Sequence, residues 1–240
     1  MVFLCFSSKD RNSIAESVYY HLSNFGISAW YDRREILMGN QRDYKNFVEG
    51  VESCEYAVII LSPNAIASIC ANEEIDLIYK RYSNNEMYVF PVFYNIAAKD
   101  VPEKYGWLKK LVYKELDCTN DSRSLCNHII CKVLEDYLEE LPLKAINSYT
   151  SPITDSFLDI INEKYLEIDG INYNSRITLL YAGMQYILQK NKETRFPLFC
   201  SKGVTYIFDE TKLNLKMDLR ETKMVEYSYI ILLNYYLGLV

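Results

Sequence analysis

The sequence predicts an α/β fold: an open parallel sheet with helices on both faces, plus a small, mainly helical C-terminal domain. Three observations predict it. Short, wholly apolar runs alternate with helix-period segments over the first 140 residues. Those runs lack the in–out alternation of a sheet with one solvated face. Beyond a polar stretch flanked by Pro142 and Pro152, the pattern turns largely helical.

Each element follows from its residues. Residues 2–6 (VFLCF) form a strand that ends at Ser7-Ser8-Lys9-Asp10. Residues 11–25 carry Ile14, Val18, Leu22 and Phe25 at helical spacing and stop at Gly26. Residues 27–31 (ISAWY) are the second strand, followed by the charged loop DRREILMGNQ. Residues 43–51 read as a helix with Tyr44, Phe47, Val48 and Val51 on one side. Residues 56–61 (YAVIIL) are the third strand, closed by Ser62-Pro63-Asn64, and a helix follows over 68–82. In the fourth strand, 88–94 (YVFPVFY), Pro91 removes a ladder hydrogen bond and predicts a strand near an edge or bulged. A fifth strand over 112–116 and a helix over 125–141 complete a first domain, 1–141. Residues 142–152 form the linker and 153–240 the second domain, with helices at 153–165, 177–189 and 222–237 and a strand at 204–208. Ligands of such sheets bind beyond the carboxyl ends of the strands, here 6–10, 31–39 and 62–68.

Composition excludes several classes. Half of the 240 residues are apolar, and 26 Lys+Arg against 32 Asp+Glu give a net charge of −6. Neither nucleic acid nor an anionic membrane is expected as a partner. No two of the eight glycines lie closer than Gly39 and Gly50, so a GxGxxG turn or P-loop is absent. Seven scattered cysteines form no CxxC pair, and only His21 and His128 supply imidazole. No metal site, disulfide framework or cofactor is expected, and free thiols suit a reducing cytosol. Residues 2–6 are too short for a signal peptide, and 229–240 (YIILLNYYLGLV) fall well below the roughly 20 residues of a membrane span. The latter reads as a buried helix whose Tyr227, Tyr229, Tyr235 and Tyr236 are core or a self-association face, in a cytoplasmic protein.

One carboxylate is unusual. At about 100° per residue from Cys70, Ile66, Cys70 and Leu77 fall together as a buried face, with Glu73 near about −60° and Glu74 near about +40°. An acid on an apolar stripe is costly unless it is partnered or has a task. Periodicity does not choose between the two glutamates.

Several blocks, in order, resemble a known family. Val2-Phe3-Leu4-Cys5-Phe6-Ser7-Ser8-Lys9-Asp10 is similar to a strand followed by an S-Y-S-x-x-D-like turn. Gly26-Ile27-Ser28-Ala29-Trp30-Tyr31-Asp32 resembles a second strand with its terminal aspartate, and Gly39 ends a loop of matching length. Ser62-Pro63-Asn64, Ser68 and Glu74-Ile75 resemble a third block. Together they resemble the TIR (Toll/interleukin-1 receptor/resistance protein) domain over residues 1–141, which implies a flavodoxin-like sheet. Met38 replaces the family's proline, and Cys70 its tryptophan four residues before the glutamate.

The resemblance to the family's NAD-cleaving branch implies that Glu74 is the catalytic residue. It also implies that Phe6, Ser7, Asp32, Ile36, Gly39 and Ser68 contact or cover the nucleotide. NAD is then a substrate and not a cofactor. Breaking its nicotinamide–ribose bond leaves an oxocarbenium-like sugar that an anion stabilises. Water as acceptor gives ADP-ribose, and an internal adenine nitrogen gives a cyclic ADP-ribose. On its residues alone, the loop DRREILMGNQ is either a flap over the nucleotide or a charged connection. Arg33 and Arg34 pair either with phosphates or with Glu35, and Trp30 packs under the loop.

The expected function is that of an NAD+ nucleosidase or ADP-ribosyl cyclase. It would be activated by assembly through its TIR domains, under a protein or nucleotide signal sensed by the tail. The resemblance extends to prokaryotic anti-phage defence proteins. The alternative is a non-catalytic TIR–TIR signalling adaptor or a decoy of host TIR proteins.

Overall fold

Four apolar residues, Val2–Cys5, form β1 and are buried along their whole length, as a strand covered on both faces requires. The computed structural model describes residues 1–35, 38–39, 41, 44–119, 122–149, 155–190, 196–213 and 217–240. In it β1 pairs in parallel with β2 (Ala29–Trp30) and with β3 (Tyr56–Leu61). With β4 (Tyr88–Tyr94) and β5 (Lys114–Leu116), the order is β2-β1-β3-β4-β5, all parallel. The expected open sheet is therefore present. Its second strand is shorter than residues 27–31, because the Ile27 N–H turns back to the Leu22 carbonyl at 2.9 Å.

Pro91 sits one strand in from the edge of the sheet, near an edge as expected. β4 lies inside the sheet, and its register with β3 runs unbroken from Tyr56↔Tyr88 to Leu61↔Phe93. Pairing with β5 begins only at Val92. Proline therefore stands where one side of β4 has no ladder to lose.

Helices join the strands. A π-helical stretch, Arg11–Ala15, runs into α1 (Glu16–Phe25), which buries Ile14, Val18, Leu22 and Phe25 as expected and ends at Gly26 (φ +95°). After β2 come α2 (Asp32–Glu35) and a second π-helix, Tyr44–Val51. β3 leads into α3 (Pro63–Ile66) and α4 (Ile69–Ser83), with Ser62 and Ser68 as their N-caps. Two 3₁₀ turns, Ala98–Asp100 and Glu103–Lys110, precede β5, and α5 (Arg123–Glu139) follows it. On one sheet face Phe3, Cys5, Ala57, Ile59, Leu61 and Phe93 share a core with Val51, Ile75, Ile78 and Leu108.

The second π-helix approaches this core closely. A Cβ at Gly50 would lie 2.8 Å from Phe3 Cε2 and 2.9 Å from Trp30 Nε1. Both rings are buried, so neither has room to retreat. Gly50→Ala is expected to destabilise by about 1–3 kcal/mol, as overpacking does. Urea unfolding checks this, and an unchanged midpoint would mean that the helix backs away without strain.

Packing divides the chain into two units, Met1–Ser23 with Ile27–Cys126, and Asn24–Gly26 with Asn127–Val240. The division falls inside α5, upstream of the polar stretch at 142–152. Within the second unit lie α6 (Ser156–Glu167), α7 (Tyr173–Lys190), α8 (Leu198–Leu213) and α9 (Leu219–Tyr236). The strand expected at 204–208 is instead part of α8. Its β-favouring residues are overridden because Cys200, Val204 and Ile207 recur at helical spacing and bury one face. A Cβ at Gly183 of α7 would lie 2.7 Å from the ring of Tyr229 on α9. The Tyr229 hydroxyl donates to Asn162 Oδ1 at 2.7 Å. Residues 229–234 are buried as expected, but the helix ends at Tyr236 and residues 238–240, expected to be buried with it, are exposed. No helix among the described residues is long and apolar enough to cross a membrane.

Candidate active site

The strand order reverses between β1 and β3, which creates a crevice beyond their carboxyl ends. Asp10, just past β1, is only 3% exposed. Its carboxylate accepts hydrogen bonds from the Ser62 hydroxyl and, at 2.7 Å, from Asn64 Nδ2, both just past β3. A buried anion so satisfied ties the two strand ends together.

α4 brings a second carboxylate to this end of the sheet. Ser68 caps the helix by accepting from the Ala71 N–H at 3.3 Å. From there Ala71, Glu74, Ile75 and Ile78 are buried, while Glu73 is exposed. The buried stripe is rotated from the one expected around Ile66, Cys70 and Leu77, which are only partly buried. Ile66 belongs to α3, and within α4 the phase is set by Ile75 and Ile78, which join the core of the sheet, and not by Cys70 and Leu77. On the true phase Glu74 lies within the stripe and Glu73 nearly opposite.

Glu74, 7% exposed, accepts a hydrogen bond from Asn46 Nδ2 at 2.7 Å. Cys5, the last residue of β1, is another neighbour. Burial above all, and then the charge and hydrogen bond of Glu74, push the Cys5 thiol well above its usual pKa. It therefore stays protonated and able to donate.

The remaining expected site residues are placed as follows. Phe6 is buried and stacks on Tyr31, with centroids 5.7 Å apart, and Tyr19 stacks on the far side of Tyr31 at 4.8 Å. Arg11 lies over both Phe6 and Tyr31 and holds Asp32 through two hydrogen bonds of 2.9 and 2.8 Å. Ser7 is buried and caps the turn after β1. Gly39 adopts φ +97°, the left-handed region that favours glycine, with no atom of the described residues within 4 Å of where a Cβ would stand. Ile36 lies outside the described residues. Trp30 is packed in the core, as expected. Phe6, Arg11, Tyr31 and Asp32 form one cluster, and Glu74, Asn46 and Cys5 another. Cys5 and Phe6 are chain neighbours, so both clusters meet at the end of β1. All seven cysteines are free thiols, and no metal-binding cluster occurs among the described residues.

A sequence model of the TIR domain matches residues 2–129, just over half of the chain. The chain belongs to the TIR domain family. Its TIR region is 29% identical over 139 residues to a probable 2′ cyclic ADP-D-ribose synthase, TcpO, of Methanobrevibacter olleyae, covering 58% of this chain and 39% of that one. It is 24% identical over 100 residues to the 2′ cyclic ADP-D-ribose synthase AbTIR of Acinetobacter baumannii, covering 42% and 37%. The synthase BtTIR of Bacteroides thetaiotaomicron is 24% identical over 99 residues, covering 41% and 34%. The chain thus spans less than two fifths of the length of these curated relatives. Among solved structures, the TIR domain of the Toll-related receptor TRR-2 of Hydra magnipapillata matches at 17% identity and a TM-score of 0.44, covering 55% of this chain and 95% of that one.

Sequence reasoning missed two residues of this TIR site. Asn46 was hidden because a π-helix closes i→i+5 bonds, as from Glu52 N–H to Phe47 C=O at 3.0 Å. Its wider turn of about 4.4 residues puts Asn46, Gly50 and Val51 on the buried side. Val48, expected inside, is 42% exposed. Arg11 had a weaker signal, a lone cation after the S-x-x-D-like turn.

Proposed function

We propose that this TIR protein cleaves the nicotinamide–ribose bond of NAD, with Glu74 as the catalytic carboxylate. The single observation that carries this reading is a buried glutamate at the carboxyl end of β1, oriented by an amide and faced by a thiol. The names of its relatives, all 2′ cyclic ADP-D-ribose synthases, support the same chemistry.

The reaction needs little from the protein. The C1′–N bond breaks with its electron pair going to the nicotinamide ring nitrogen, which neutralises the ring's positive charge. Positive charge then develops on the ribose, and the Glu74 carboxylate stabilises it. At about 4 Å and an effective dielectric of about 20, one such interaction is on the order of 4 kcal/mol, roughly a thousandfold in rate. An acceptor oxygen bonds C1′ and loses its proton. Water gives ADP-ribose, and an internal hydroxyl closes a ring. We propose the cyclic product, with attachment at a 2′ sugar position and not at an adenine nitrogen.

The reading extends to the residues around Glu74. Phe6, Ser7, Asp32, Ile36, Gly39 and Ser68 would line or cover the nucleotide, with NAD a substrate and no further cofactor. Arg11 would hold Asp32 in place at the edge of that site. The helical region after the TIR unit would serve self-association or sensing, responding to a protein or nucleotide signal. A cytoplasmic role in prokaryotic anti-phage defence fits this scheme.

The test is incubation of the full chain at high concentration with NAD, with products separated by liquid chromatography. Nicotinamide released together with a cyclic ADP-ribose is the expected result. Free ADP-ribose alone would make the protein a hydrolase. The absence of nicotinamide release across assembly conditions would favour the adaptor reading.

A further inference from the structure

Resting on that reading, we propose that Asn46 is the positioning residue for Glu74. Its side-chain amide sets the direction in which the carboxylate faces the substrate.

Three features of the structure carry this. Asn46 and Glu74 are each 7% exposed, and they meet at 2.7 Å across two different elements, the π-helix Tyr44–Val51 and α4. The contact therefore ties the catalytic helix to a neighbour that it does not adjoin in sequence. Second, a carboxylate only accepts hydrogen bonds, so the N–H side of the amide must face Glu74. Asn46 Oδ1 consequently points away and finds no partner among the described residues. An amide free to choose would turn to satisfy its oxygen, so its orientation here is dictated by Glu74. Third, Asn46 stands on a wide π-helical turn, an uncommon geometry that recurs at functional sites. The titratable group facing Glu74 from β1 is Cys5. It is held protonated by burial, so both of these contacts to Glu74 come from neutral groups and replacing Asn46 by Leu alters no charge.

The experiment compares the full-length wild type with Asn46→Leu and Asn46→Asp. Asn46→Leu removes the donor at nearly constant volume, and kcat for nicotinamide release should fall on the order of 100-fold. KM should change far less. Loss of a donor to the carboxylate should also move the acidic limb of kcat to higher pH. Asn46→Asp, of the same shape but charged, should move that limb further. A residue that merely supports the fold would lower the melting temperature and leave kcat and the limb in place, and that outcome overturns the proposal. Should Asn46→Leu fail to fold, Asn46→Asp carries the same readouts. A wild type that releases no nicotinamide overturns the NAD reading instead. The positioning claim is then decided by carboxyl ¹³C titration of Glu74: an upward shift in Asn46→Leu supports it, and superimposable curves refute it.

Discussion

Glu74→Gln is expected to lower nicotinamide release from NAD by about a thousandfold or more, while Glu73→Gln leaves it unchanged. The contrast is sharp because the two residues differ in environment and not in chemistry. Glu74 is buried against Asn46, and Glu73 is exposed on the far side of the same helix. Glutamine at 74 keeps the shape, and its carbonyl oxygen still accepts from Asn46 Nδ2. The substitution therefore removes the charge with little disturbance of the fold. Circular dichroism should match the wild type while activity disappears. Wild-type turnover in Glu74→Gln would make this carboxylate structural, a buried acid retained for its bond to Asn46.

The second large effect concerns the C-terminal unit. Asn234 is fully buried on α9, and its side chain clamps residue 143. Its Oδ1 accepts from the Leu143 N–H at 2.9 Å, and its Nδ2 donates to the Leu143 and Ile230 carbonyls, each at 2.8 Å. Asn234→Ala removes all three bonds and orphans both backbone groups of Leu143, itself buried. Each orphaned group costs on the order of 1–3 kcal/mol, so a loss of about 2–6 kcal/mol is expected. For a chain of this size every 1 kcal/mol lowers the melting temperature by about 2–4 °C. Thermal unfolding followed by far-ultraviolet circular dichroism measures it directly. A shift of only a degree or two would mean that water reaches Leu143 once the side chain is gone.

Much of the TIR unit was legible because buried parallel strands have a plain signature. VFLCF, YAVIIL and YVFPVFY are short, apolar on both faces and bounded by turn residues. Glu74 was legible only in part. Its helix could be placed, but the stripe was anchored on Cys70 and Leu77, which are only partly buried, whereas Ile75 and Ile78 carry the buried face. The family register pointed to Glu74, and burial now separates it from Glu73. Asn46 was illegible because a 3.6-residue period was assumed where the backbone turns more widely. The segment 204–208 misled for another reason: VTYIF has strand composition, and only its phase with Cys200 betrays the helix. Local preference is outvoted there by the partners that one face must meet.

The wide turn at Tyr44–Val51 has an evolutionary corollary. Substitution changes which side chains a helix carries, but the angle at which each emerges depends on how many residues fill a turn. An expanded coil is therefore gained or lost by changing chain length, one residue at a time. Deleting one residue here would restore the tighter winding and swing the amide away from the acid while leaving composition almost intact. A relative lacking the extra residue would, aligned column by column, pair residues that face different ways within this stretch. Gaps there carry more meaning than identities.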